Sequence, residues 1–274
     1  MRKVSISQAW DETRAVLGRD GRLFVSVALA LLVLPAVING LVNPQGMSAT
    51  SAAWWRPVLS LIVTLIAVAG QLAIIRLALG PSVAVGEAIS HGIRRVPIYF
   101  VSLLIVIAGL LIASIPFGFA LRAAGVPLQR GAAVPNSAPV LIAALLYLAL
   151  IVFVLVRMMM SGPVASSEEA GPIEIVKRSW QLTGRHFWQL LGFLLVFLVG
   201  GLVVIIAVSA AMGTLARLFI GPIEPVTVAG LLIILIQAAV GAALSVVFAV
   251  MIARIYLQLS GRGEPQAGVP SSGT

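Results

Sequence analysis

The chain has 274 residues, 60% of them hydrophobic and only 10% charged, a balance that excludes an ordinary soluble globular domain. Its net charge of +9 would suggest nucleic acid in a soluble protein. Here the basic residues flank apolar runs, where they set topology, so no nucleic-acid partner is expected. Cysteine is absent, which removes disulfides, thiolate catalysis and thiol metal sites.

In chain order, the first predicted element is an amphipathic helix over 6–17. Ile6, Trp10, Thr13 and Leu17 share one face, and Ser5 and Gln8 have capping-box spacing. An apolar run over 23–42 follows. The charged stretch before it holds Asp11, Glu12 and Asp20, which suits a signal peptide poorly, so the run reads as a retained first span. After a turn at 43–46, a second span over 57–79 carries Gln71 and Arg76 and ends at Gly80-Pro81. A second amphipathic segment over 83–96, with Ser82 as its cap, places Val85, Ile89, Ile93 and Val96 together. A third span over 98–121 and a fourth over 139–160 are joined by a loop at 125–139. The fourth carries Arg157 and ends at Gly162-Pro163.

The third amphipathic segment, 173–184, is the clearest. Ile173, Val176, Trp180, Thr183 and Phe187 fall at helical spacing, with Lys177, Arg178 and Arg185 on the other sides. It leads into a fifth span over 188–211, which carries no charge and at 1.5 Å per residue can cross a hydrocarbon core of about 30 Å. A turn at 221–225 and a sixth run over 226–256, with Gln237 and Arg254, complete the set. The fold class expected is all-α: a polytopic integral membrane protein of six transmembrane helices plus three amphipathic interfacial helices. One domain over 1–262 carries a three-fold internal repeat (5–79, 83–160, 173–257), and 263–274 form a flexible tail.

Lysine and arginine counts predict sidedness. Five precede the first span, three lie between the second and third, four between the fourth and fifth, and two at the C-terminal end. Those fourteen face four on the other side (Arg56, Arg122, Arg130 and Arg217). The asymmetry places both termini in the cytoplasm, and a bacterial inner membrane is the expected location.

Nothing in the sequence suggests catalysis. There is no HExxH, GxSxG or Walker loop. None of the nine acidic residues falls within a span, so an intramembrane carboxylate relay is not expected. Glu168 and Glu169 read as a solvated loop rather than an acid–base pair. No metal or cofactor is expected. Gln71 and Gln237 are the candidate intramembrane polar contacts, with Gln237 read as one interhelical hydrogen bond among small residues. Trp10, Trp180 and Trp188 are candidate interfacial anchors. Arg76, Arg157 and Arg254 are candidate anionic-lipid contacts, because a guanidinium matches phosphate bidentately. If three repeats packed around one axis, these arginines should approach one another.

At Ser179–Phe193 the chain resembles the membrane domain attached to some bacterial glycerophosphoryl diester phosphodiesterases, and the similar six-span YciC-like proteins. Ser179, Trp180, Leu182, Thr183, Phe187 and Trp188 match that family's Ser-Trp-x-Leu-Thr-x-Gly-x-Phe-Trp pattern, with Gly184 one place early. The phosphodiesterase activity belongs to a separate soluble domain with a His-Arg-Gly motif, which this sequence lacks. The resemblance therefore implies the membrane portion alone, without catalysis. The function expected is a non-enzymatic membrane module associated with lipid, anionic lipid included, or with a membrane or cytoplasmic protein partner. The alternative is a transporter or flippase of lipid-like or amphipathic small molecules.

Overall fold

The structure is a computed structural model that describes residues 5–42, 54–80, 84–123, 125–126, 137–219 and 227–261, with the backbone alone at 216–219 and 229. The expected turns at 43–46 and 221–225, the Ser82 cap and the tail at 263–274 lie outside these residues. Every described element is helical. In order they are α1 (Ile6–Ala28), a π-helical turn (Leu29–Val33), α2 (Leu34–Val42), α3 (Trp55–Leu79), α4 (Val85–Ala123), α5 (Ala138–Met158), α6 (Ser161–Ser167), α7 (Pro172–Thr183), α8 (Phe187–Phe219) and α9 (Val228–Ser260). Six helical stretches are long and apolar enough to cross a membrane, one for each expected span.

Two of the expected interfacial helices are not separate elements. The first continues through Gly18 and Gly21 into its span, and the second continues through Pro97 in the single helix α4. Glycine weakens a helix without ending it. In hydrocarbon, neighbouring groups can satisfy the carbonyl that a proline frees. Only α7 stands alone. It opens with Pro172 in its first turn and Glu174 accepting a hydrogen bond from the Gly171 amide at 2.9 Å, and a turn at 184–186 ends it.

A second local feature decides packing. Pro35 has no N–H to donate to Leu31, and just before it the helix widens into a π turn, with Leu34 N–H reaching Leu29 O. Gly70 of α3 packs against this turn, so closely that an added Cβ would stand 2.6 Å from Leu31 Cβ.

The expected break at Gly162-Pro163 is a helix instead. After a turn at 159–160 the chain re-enters α6, whose first turn accommodates Pro163 because the first N–H groups of a helix need no intrahelical partner. Residues 161–166 are all buried, so α6 is a short helix folded into the interior.

The core lies toward one end of the bundle. Its fully buried side chains include Leu72, Val164, Ile175, Leu190, Ile255 and Tyr256, which bring the basic ends of α3, α8 and α9 around α6 and α7. A second cluster ties Val16, Phe24 and Val27 of α1 to Ala73 and Ile74 of α3 and Val250 of α9. Beyond Ser102 in α4 and Leu194 in α8 the side chains open outward: Ile112 is 68% exposed and Val196 75%. Burial is thus concentrated in the basic half of the spans, and α3 is the most buried of them.

Candidate functional site

Above α6 the helices leave a chamber of about 370 Å³ among α3, α4, α5, α8 and α9. The buried face of α6, from Ser161 to Pro163, forms its floor. Leu155 of α5 and Leu198 of α8 line it while remaining 53% and 54% exposed, and Gln71 of α3 is exposed too, so the chamber opens between α5 and α8 and reaches the surface at α3 as well.

Three polar side chains face this space: Gln71, Tyr99 and Ser161. The Ser161 hydroxyl donates to Met158 O at 2.6 Å, and the Tyr99 hydroxyl lies 3.5 Å from Ser161 Oγ. Gln71 makes no hydrogen bond to another described residue. Gln237, the other glutamine expected in a span, is not at the chamber; it donates to Ser209 Oγ at 3.3 Å, joining α9 to α8. Gly241 beside it meets nothing within 4 Å, while Ala242 is buried.

The three arginines find separate partners rather than one another. Arg76 donates from Nη1 to Ser166 O at 3.4 Å and faces His91 of α4. His91 belongs to the polar overhang of α4 ahead of the apolar stretch. Burial, then the charges of Arg76 and Arg95, hold its imidazole below the ordinary histidine value. Arg157 donates to Trp180 O at 3.2 Å, and its guanidinium lies over the rings of Phe153, Trp180 and Phe187 at 5.1, 5.2 and 5.9 Å. Arg254 lies within electrostatic reach of Glu12, Arg19 and Asp20 of α1. Of the three, Arg157 contacts the amphipathic segment of the next expected repeat directly, through Trp180.

The amphipathic segments dock through small residues. Ala9 and Thr13, Ala88 and Gly92, and Ser179 and Thr183 are buried, with Ile175 the one large apolar residue buried beside them in α7. Thr13 Oγ1 lies 3.5 Å from Met251 Sδ; a Cβ on Gly92 would stand 2.7 Å from Ala69 O; Ser179 Oγ donates to Arg157 O at 2.6 Å. The large apolar residues expected to pack inward turn partly outward instead: Ile93 is 57% exposed and Ile173 71%. The candidate anchors Trp10, Trp180 and Trp188 are all exposed, and Trp180 also packs edge-on against Phe153.

Sequence reading missed a network at the other end of α6. The Ser167 hydroxyl donates to Tyr256 Oη at 2.8 Å, and Tyr256 donates to Glu168 Oε1 at 2.8 Å. Arg178 Nε lies 3.6 Å from the same oxygen. Glu168 is therefore a structural acceptor rather than part of a solvated loop, and only Glu169 is exposed. The missed signal was a lone tyrosine late in an apolar run, which in hydrocarbon needs a hydrogen-bond partner. Among the described residues no three His, Asp or Glu side chains gather as a metal site would require.

A family model described as a domain of unknown function (DUF7847) matches residues 4–259. No curated protein and no solved structure matches the chain.

Proposed function

The chain belongs to the DUF7847 family, and from its geometry we propose that it is a non-enzymatic integral membrane module whose working partner is lipid. The observation that carries this reading is the one-sided core. With burial concentrated in the basic half, the far stretches of α4, α5 and α8 present their side chains to whatever surrounds them. In a bilayer that surrounding is acyl chain, which satisfies apolar side chains as well as protein does.

The fourteen-to-four charge asymmetry supports a bacterial inner membrane with both termini on the cytoplasmic side. The resemblance at Ser179–Phe193 to a bacterial membrane-domain family supports a membrane module. The recurrence of Arg76, Arg157 and Arg254 late in the second, fourth and sixth runs supports a three-fold repeat. On this reading each arginine contacts an anionic headgroup singly at the basic surface. A second reading, transport of lipid-like small molecules, is favoured by the opening between α5 and α8 and by the exposed Gln71 amide in the chamber lining.

Native mass spectrometry of the detergent-extracted chain tests the proposal. The wild type should retain phosphatidylglycerol or cardiolipin, and a variant with Arg76, Arg157 and Arg254 all replaced by Gln should lose most of it. A wild type that emerges free of lipid, or with a protein partner in its place, contradicts the reading.

A further inference from the structure

The chamber above α6 has a composition that selects its occupant. We infer that it is a binding site for one hydrocarbon chain of an uncharged amphiphile, whose hydroxyl or carbonyl head meets Gln71, Tyr99 and Ser161. The inference rests on the lipid-associated reading above and names the lipid class for this one site.

Water is a poor occupant. Most of the walls are Leu, Ile, Val, Met and Phe side chains, so a water away from Gln71, Tyr99 and Ser161 would lack the two to four polar partners it needs. The floor is closed, since residues 161–166 are buried. The mouth at Leu155 and Leu198 lies between two helices whose far halves face hydrocarbon. What enters there comes from the bilayer. About 370 Å³ is the room of roughly a dozen water-sized groups at ~30 Å³ each, enough for one chain.

The head is constrained by charge. No lining residue is charged, so a phosphate or ammonium would enter without a counter-ion, which a low-dielectric site strongly disfavours. Gln71 brings two N–H donors and a carbonyl with no partner among the described residues, and an amide in hydrocarbon gains from finding one. The Tyr99 oxygen, also in the lining, has acceptor capacity left. A hydroxyl or ester carbonyl satisfies these groups without bringing charge.

A photoactivatable diacylglycerol, diazirine-labelled on its chain, tests this with the full-length protein in lipid nanodiscs. It should label α5 and α8 around Leu155 and Leu198, in competition with unlabelled diacylglycerol. Gln71→Leu should weaken that labelling roughly three- to thirtyfold, the worth of one hydrogen bond in a membrane interior. Leu198→Trp, at an exposed position that tolerates bulk, should block the mouth and abolish it. A matched phosphatidylglycerol probe should be indifferent to both variants, which also confirms that they fold. Diacylglycerol labelling spread over outward faces, or unchanged in both variants, overturns the inference while retained phosphatidylglycerol leaves the lipid-associated reading standing. Failure of both probes to bind removes the two together.

Discussion

Tyr256 in α9 donates its hydroxyl hydrogen bond to Glu168 Oε1 across 2.8 Å, although the two stand 88 positions apart. The tyrosine is fully buried and also accepts from Ser167. The last helix is thereby fastened to the end of the short helix that floors the chamber.

Replacing Tyr256 with Phe keeps the ring and removes the hydroxyl, leaving Glu168 with Arg178 alone and the Ser167 hydroxyl without its acceptor. The expected cost is about 1–3 kcal/mol, the penalty for leaving partly buried polar groups unpaired. Thermal unfolding in detergent should show a clear drop in midpoint. An unchanged midpoint would mean that the network does not hold α6.

Gly92 marks a close approach of α4 to α3. An added Cβ would lie 2.7 Å from the Ala69 carbonyl oxygen, and backbone cannot yield as a flexible side chain can. Gly92→Ala should destabilise by about 1–3 kcal/mol through overpacking. Gly21→Ala, with nothing within 4 Å, should be neutral or gain up to ~1 kcal/mol from helix propensity. Equal effects in the same unfolding assay would refute the close contact.

Arg157 owes its position to a planar guanidinium lying over Phe153 and Trp180. Gly184 leaves the room, since a Cβ there would stand 3.0 Å from Arg157 Nη1. Arg157→Lys keeps the charge but loses the planar stack, and should cost about 0.5–2 kcal/mol. Tryptophan emission should shift as the Trp180 ring loses its partner. A lysine variant with native emission and stability would reduce Arg157 to a topology anchor.

The spans were legible because long uncharged runs leave few alternatives: 57–79 was expected where α3 runs Trp55–Leu79. The docking faces were not. Reading Ile93 or Ile173 as inward-facing assumes water outside the helix. Beside a bilayer the large apolar residues can face lipid, while Ala88, Gly92, Ser179 and Thr183 let helices meet. The short helix α6 was hidden because Pro163 reads as a stop, although a proline fits the first turn of a helix. Gln71 could be singled out as a polar residue in a span. Its neighbours Tyr99 and Ser161 could not, because only the packing of three helices brings them to one chamber.

On the lipid-associated reading, lipid completes a bundle whose own core is concentrated in the basic half. A high-resolution density map of the chain in lipid nanodiscs tests this most directly. It should show elongated density between α5 and α8 entering the chamber beside Gln71, with Ile112 and Val196 against lipid. A map in which the far halves of α4, α5 and α8 pack on one another and close the chamber would contradict it.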